Sequence, residues 1–321
     1  MGGVVGLVGL GVMGRNHLRT LSQVTEVTDV YVYDTEQNES ALRFGRMVPS
    51  LESMVDGDIL YAVVSTPSNN HKDSALELLQ RGVDVFIEKP LAESARVAAE
   101  LFEESKALPG RILGVGHVER FNAALMEARS LLSNSVLGDL YSVSTVRRGP
   151  MPARDLGTGV GVDLAVHDVD IIRWATSSEY VEVQAQSAGP RLNGSETFLR
   201  VIATLDSGIS VEHAIDWLSP KKERSVEFLG EKGSLKVNLL TLDLELTTHD
   251  PTEIHWQSLE VLTGSQQSST RSIPVSKQEP LLKQHEDLFD HVIRGSKTKT
   301  ASVTDGIRAL EIVEQILDKI R

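Results

Sequence analysis

Residues 4–14 read VVGLVGLGVMG, and Asp34 follows the last of these glycines by twenty positions. Val4 to Val8 form a short apolar run of the kind buried on both faces of a parallel sheet. Gly9, Gly11 and Gly14 have the spacing Gly-x-Gly-x-x-Gly, and a helical pattern through His17, Leu18 and Leu21 opens directly behind them. Three glycines alone carry little weight. A strand before them, a helix after them and an acidic residue at the end of the next strand make them the fingerprint of a dinucleotide-binding βαβ unit. Gly9 permits the tight turn, Gly11 lets a pyrophosphate approach the backbone, and Gly14 lets the helix pack against the strand. The helix N-terminus, with Val12 and Met13 in its first turn, then faces the phosphates. Asp34 is expected to accept hydrogen bonds from the ribose 2′- and 3′-hydroxyls, and a 2′-phosphate beside it would be repelled. NAD is therefore expected, with NADP disfavoured. The alternative is a glycine turn in an α/β domain that binds nothing.

The same rhythm continues outward. Residues 29–33, 59–65, 83–87 and 111–117 read as strands, and 69–81 and 93–106 as helices. Alternating strands and helices imply a parallel sheet, an N-terminal α/β Rossmann domain over 1–119. Beyond it, 120–134 and 162–175 have helical periodicity, 141–149 alternates as a strand, and a Gly/Pro-rich loop covers 149–161. Strand-like segments at 181–188, 197–205, 209–217, 224–229, 234–239 and 242–248 are separated by turns such as Asp206-Ser207-Gly208 and Gly230-Glu231-Lys232-Gly233. They predict a second, α+β domain over 120–321 with an open, mostly antiparallel or mixed sheet. Residues 264–280, rich in Ser and Gln, read as an exposed loop, and helices over 281–294 and 304–320 close the chain.

A net charge of −13 argues against a broad nucleic-acid surface, which needs a basic patch. With no cysteine, disulfides, thiolate nucleophiles and Cys-ligated metals are excluded, which fits a reducing cytoplasm. No apolar run approaches the roughly 18 residues of a membrane span. The opening Met-Gly-Gly enters the first strand almost at once, so it reads neither as a signal peptide nor as a myristoylation site.

In an open α/β sheet, ligands sit outside the carboxyl ends of the strands. Three groups occupy that rim: Ser65-Thr66-Pro67, with His71 opening the next helix; Glu88-Lys89-Pro90; and His117 with Arg120 and Asn122. Ser65, Thr66, Pro67, Glu88 and Lys89 are expected to line the cofactor cleft. His71 is either a cofactor neighbour or an ordinary polar residue. His117, Arg120 and Asn122 are either nicotinamide and substrate contacts, or a helix cap beside a surface pair.

Together with Asp163-Leu-Ala-Val-His167, these motifs resemble the Gfo/Idh/MocA family, named for glucose–fructose oxidoreductase and inositol dehydrogenase. The resemblance spans essentially the whole chain, in order. It implies a Rossmann domain followed by an α/β domain whose open sheet mediates homodimers or homotetramers. It also implies oxidation of a hydroxyl of a sugar or cyclitol, or the reverse reduction. It places the family's lysine on Lys89 and its aspartate and histidine on Asp163 and His167. Arg147 to Arg154, Asp163 to Trp174 and Asp216 to Pro220 resemble the UDP-N-acetylglucosamine 3-dehydrogenase branch of that family.

Alcohol oxidation needs a hydride acceptor, which the cofactor supplies, and a base for the hydroxyl proton. Histidine titrates near the operating pH. Asp163 and His167 are four residues apart and share one helix face. His167 is therefore expected as base, Asp163 as its orienter or a substrate ligand, and Lys89 as hydrogen-bonding partner of the developing alkoxide. Lys89 and His167 could exchange roles. Taken alone, the Asp163/His167 pair is more often a solvated or capping pair, and only its occurrence with the nucleotide fold favours catalysis; Asp168 and Asp170 beside His167 open a metal alternative, but none is expected, since hydride transfer needs no metal. Arg148 and Arg154 are candidates for the diphosphate of a nucleotide sugar. Arg147 and Arg148 point to opposite faces of their strand, so at most one reaches such a site. Trp217 could stack on a base or sugar, or belong to the core. Three readings remain open: a dehydrogenase of a UDP-N-acetyl-hexosamine at C3, a dehydrogenase of a free sugar or cyclitol, and a non-catalytic NAD-binding regulator.

Overall fold

A computed structural model describes residues 2–36, 42, 44–153, 157–249 and 268–320. Its contacts cluster into two units, residues 1–121 with 278–314, and residues 122–277 with 315–321.

The first unit is built on a six-stranded parallel sheet of order β3-β2-β1-β4-β5-β6. Its strands are β1 (Gly3–Val8), β2 (Val27–Tyr33), β3 (Arg46–Met47), β4 (Ile59–Val64), β5 (Val85–Ile87) and β6 (Ile112–Val115). The central strand is apolar because both its faces are covered. Val5 and Leu7 pack with Leu18 and Leu21 of α1 (Val12–Leu21) and with Leu288 and Phe289 of α7 (Pro280–Arg294). Val8, Val64 and Ile87 pack with Leu78 and Leu79 of α3 (His71–Gln80) and Leu101 of α4 (Ala95–Ser105). Each such fully buried aliphatic side chain stabilises by about 1.5–3 kcal/mol. From β1 the chain winds to β2 and β3 on one side, then returns to β4 on the other. This reversal opens a crevice at the carboxyl ends of β1 and β4.

Two short elements here go beyond the sequence reading, β3 and α2 (Leu51–Val55), whose N-cap Ser50 accepts from the Ser53 N–H at 3.1 Å. The closing helices also group differently from the expected boundary. α7 and α8 (Val303–Asp318, as far as residue 314) belong with the first unit by contact. Val115 N–H, at the end of β6, bonds the Ala301 carbonyl at 2.9 Å.

The second unit carries an eight-stranded sheet of order β16-β15-β14-β13-β7-β12-β11-β8. The members are β7 (Leu140–Arg148), β8 (Tyr180–Ser187), β11 (Phe198–Leu205), β12 (Ser210–Asp216), β13 (Glu223–Gly230), β14 (Gly233–Asn238), β15 (Asp243–His249) and β16 (Ser268–Ile273). All neighbours are antiparallel except β7 and β12, which makes the sheet mixed. A separate short hairpin joins β9 (Arg191–Leu192) to β10 (Ser195–Glu196). Alternation decides the faces: Val143, Thr145 and Arg147 of β7 are buried on one side. β16 corrects the expected loop over 264–280. Its residues are polar and mostly exposed because it is the sheet edge, where a charge and hydroxyls suffice; 264–267 lie outside the described residues.

The helices predicted over 120–134 and 162–175 start irregularly. Residues 118–121 form a 3₁₀ turn, and α5 (Ala123–Ser133) begins after Asn122, whose Oδ1 accepts from Leu125 N–H at 3.3 Å. Gly161–Ala165 is a π turn that leads into α6 (Val166–Thr176). Among the described residues, no helix is long and apolar enough to cross a membrane.

Candidate active site

The glycine turn forms one wall of a cavity of about 670 Å³ at the carboxyl edge of the first sheet, within the usual size of ligand pockets. Gly9 has φ +94°, and a Cβ there would lie 2.9 Å from the Ser65 and Thr66 backbone. A Cβ on Gly14 would meet the Gly9 carbonyl oxygen at 2.0 Å, so only glycine lets α1 start this close to the turn. Gly11 faces open space, with nothing within 4 Å of its absent Cβ. That opening, beside the N–H groups of the first turn of α1, which have no acceptor one turn earlier within the helix, is the cradle a pyrophosphate requires. Val12 is 45% exposed there, while Met13 is half-buried.

Asp34 lines the same cavity from the end of β2. Its Oδ2 accepts from Leu10 N–H at 2.6 Å and its Oδ1 from Glu36 N–H at 2.9 Å, so the carboxylate is fixed against the glycine turn. Glu36, Asp73 and Glu77 add further carboxylates, and Arg15, whose Nη1 donates to Leu10 O at 2.9 Å, supplies a cation. Ser65, Thr66 and Pro67 line the cavity after β4, and Ser65 Oγ donates to Gly9 O at 3.0 Å. These residues fit NAD, and would hold it along the edge from Asp34 to β4.

The other rim residues take definite structural places. His71 is 1% exposed and lies behind the cavity lining, its Nε2 at 2.8 Å from Thr66 O and its Nδ1 at 3.0 Å from Pro90 O. Burial lowers its pKa despite these carbonyls. It braces the rim from behind, where the sequence offered a cofactor neighbour as one option. Lys89 is half-buried at the end of β5, before a cis peptide to Pro90. Glu88 is buried; its Oε2 accepts from Lys89 N–H at 3.0 Å and its Oε1 stands 3.0 Å from His17 Nε2. Burial alone would raise the Glu88 pKa, but the hydrogen bond and charge of His17, with Lys89, bring it below the ordinary value.

His117 is 2% exposed. Arg120 is buried in an ion pair with Asp305 of α8 at 3.1 Å, and Asp305 is held below the usual carboxylate range although burial opposes this. Asn122 is fully buried, capping α5 and donating to Leu239 O at 3.1 Å. Asn122 is thus a helix cap, and the pair that Arg120 makes is buried where the cap-and-pair option placed it on the surface.

In the second unit, the π turn carries Asp163 and the first turn of α6 carries His167, both half-buried. Asp163 N–H bonds Gly159 O at 3.1 Å. π turns inside helices concentrate at functional sites. Beside them Asp168 is buried, its Oδ1 bonded to Arg147 Nε at 2.7 Å. Burial raises the Asp168 pKa against the pull of Arg147. Arg147 is 1% exposed, while Arg148 on the opposite face stands 3.8 Å from Glu223. Arg154 lies outside the described residues. Trp217 is 4% exposed and belongs to the core. Among the described residues, no group of three or more His, Asp or Glu side chains has metal-binding spacing.

Sequence reasoning missed His17 and His285, whose bond (Nδ1 to Nε2, 2.9 Å) spans 268 positions. The available signal was a polar residue on the apolar stripe of α1, four before Leu21. It also missed Tyr180, His213 and Thr145, a buried run with Tyr180 OH to His213 Nε2 at 2.9 Å and His213 Nδ1 to Thr145 Oγ1 at 2.7 Å.

Comparison with known proteins agrees with this geometry. The family described as "Oxidoreductase family, NAD-binding Rossmann fold" matches residues 4–117, and the "GFO/IDH/MocA C-terminal domain" matches 125–236. The chain therefore belongs to the Gfo/Idh/MocA family of NAD-binding oxidoreductases. Inositol 2-dehydrogenase of Acidothermus cellulolyticus is 30% identical over 245 residues, 72% of this chain and 71% of that one. UDP-N-acetylglucosamine 3-dehydrogenase GnnA from Acidithiobacillus ferrooxidans has the same fold, with TM-score 0.84, 20% identity and coverage of 100% and 98%. GenD2 from gentamicin A biosynthesis, solved in complex with NAD, has TM-score 0.78, 21% identity and coverage of 99% and 94%.

Proposed function

We propose that this chain is an NAD-dependent dehydrogenase of a secondary hydroxyl on a sugar-type ring, with a UDP-N-acetyl-hexosamine, oxidised at C3, as its leading substrate. The observation that carries the oxidoreductase reading is the order of groups along one sheet edge. Asp34 follows β2, the glycine turn β1, Thr66-Pro67 β4 and Lys89 β5. With the ribose hydroxyls at Asp34 and the pyrophosphate at Gly11, the nicotinamide end runs towards Lys89. When bound, NAD accepts the hydride from the substrate carbon.

The protein's own groups handle the oxygen. The Lys89 ammonium donates a hydrogen bond to the reacting oxygen and stabilises its developing negative charge. A ring nitrogen of His167 takes the hydroxyl proton, and Asp163 orients that ring and supports its cation. Exchange of the Lys89 and His167 roles preserves the same proton balance.

The nucleotide-sugar choice is supported by the stretches 147–154, 163–174 and 216–220 and by the likeness to GnnA. Arg148 is its phosphate-binding candidate, together with Arg154. A second reading, a cyclitol such as myo-inositol, is favoured by the 30% identity to an inositol 2-dehydrogenase. The second sheet is proposed as the face through which copies associate, and the cytoplasm as the compartment. A panel of UDP-N-acetylglucosamine, myo-inositol and free hexoses, followed by NADH absorbance, separates the substrates. Turnover of uncharged polyols alone would remove the nucleotide-sugar reading, and NADH from none of the panel would count against the whole proposal.

A further inference from the structure

Three buried groups of the first unit take no part in the chemistry above. His17 of α1 and His285 of α7 are fully buried, and Glu88 at the end of β5 is 4% exposed. They form one line: His285 Nε2 to His17 Nδ1 at 2.9 Å, His17 Nε2 to Glu88 Oε1 at 3.0 Å, and Glu88 Oε2 to the Lys89 N–H at 3.0 Å. The His17 ring also packs edge-on against Phe86, with centroids 6.4 Å apart.

The chemistry of this line has one consistent polarity. Glu88 receives the Lys89 N–H and one His17 N–H, and His17 is itself held by His285. A carboxylate withdrawn from water survives as an anion only when its oxygens are paired. The space is cut to fit it: a Cβ on Gly116 would sit 2.6 Å from Glu88 Oε1. Glu88 thus grips the backbone of the residue whose ammonium is assigned to the reacting oxygen. His71, at 3.0 Å from Pro90 O, holds the next residue from the other side.

We infer that His17 and His285, acting through Glu88, are positioning residues that fix the Lys89-Pro90 turn and so place the Lys89 ammonium. This rests on the reading of Lys89 given above. None of the three is assigned to the reacting atoms. Their effect should appear in kcat and in the local order of the Lys89 backbone, and NAD affinity should stay within about twofold of native.

The Lys89 amide hydrogen is a direct probe, since Pro90 has none. In the full-length protein with NAD bound, His17→Leu should speed its exchange, followed by NMR, by about ten- to a hundredfold, the worth of a hydrogen bond to a charged group. His17→Gln, whose carboxamide can still donate to Glu88, should restore most of the protection; it also controls for a Leu variant that folds poorly. NADH formation from UDP-N-acetylglucosamine or myo-inositol should fall by a similar factor in His17→Leu. In a Lys89→Met background, adding His17→Leu should slow the reaction no further. Native exchange of the Lys89 amide in both Leu and Gln variants overturns the proposal, as does a His17→Leu loss that multiplies with that of Lys89→Met. If Lys89→Met alone turns over at the native rate, the assignment of Lys89 is what fails.

Discussion

Replacing Asp34 with Ala removes the carboxylate that lines the cavity against the glycine turn. Two effects follow. The Leu10 N–H, now 2.6 Å from Oδ2, and the ribose hydroxyls lose a charged acceptor. A hydrogen bond to a charged group is worth about 1.5–3 kcal/mol, so NAD should bind about ten- to 150-fold more weakly. The second effect concerns NADP. Two unit charges about 5 Å apart at an effective dielectric of about 20 repel by roughly 3 kcal/mol. The cleft is open to solvent and Glu36 remains on its lining, so only part of this is recovered. NADP affinity should still rise about tenfold, and the preference for NAD should shrink by a factor of about 100 or more. Titration calorimetry with both cofactors at one fixed ionic strength reads both constants. An Asp34→Ala protein whose NAD affinity stays within about twofold of native, with NADP no tighter, refutes the role given to this carboxylate.

Further outcomes follow from the same geometry. Gly14→Ala would press a methyl onto the Gly9 carbonyl at 2.0 Å, so NAD should no longer raise the melting temperature of the variant; a native thermal shift on adding NAD contradicts the packing account. Arg147→Met leaves Asp168 buried without its partner and should cost about 3–5 kcal/mol in urea unfolding, and a loss below about 1 kcal/mol would mean that the pair is not buried as described. Burial depresses His213 to a pKa of about 3, against 6.5 for the free side chain. Between those values the unfolded chain binds a proton that the folded one refuses, so this contribution is complete above about pH 6.5 and is lost as the pH falls. From pH 7 to 5 it amounts to about 2 kcal/mol. His213→Gln should flatten that part of the stability curve, and an unchanged slope argues against a neutral buried ring.

The parts of the fold that could be read from sequence are those in which local pattern and tertiary context agree. The glycine spacing, the apolar run before it and Asp34 define β1, α1 and the end of β2 without help from the rest of the chain. The Pro280 start and Gly295 stop of α7 are likewise local, the glycine taking φ 65°. Short elements escape because periodicity needs length: β3 has 2 residues and α2 has 5. β16 escapes because an edge strand needs no apolar face, and Ser268 to Ile273 look like loop until their partner β15 is known. At the site, residue types were legible and their surroundings were not. His71, Asn122 and Arg147 are polar and lie near the right motifs, but burial commits them to backbone carbonyls, a helix cap and Asp168. The Glu88–His17–His285 line joins residues up to 268 positions apart, and no local spacing encodes it.

The central claim is that Lys89 and His167 act on the oxygen while NAD takes the hydride. Single-turnover NADH formation with saturating NAD and the best substrate of the panel, in native, Lys89→Met and His167→Asn proteins, tests it most directly. Each variant should bind NAD normally yet form NADH at least about 100-fold more slowly, the typical worth of a positioned acid–base group. Native rates in both variants would contradict the account.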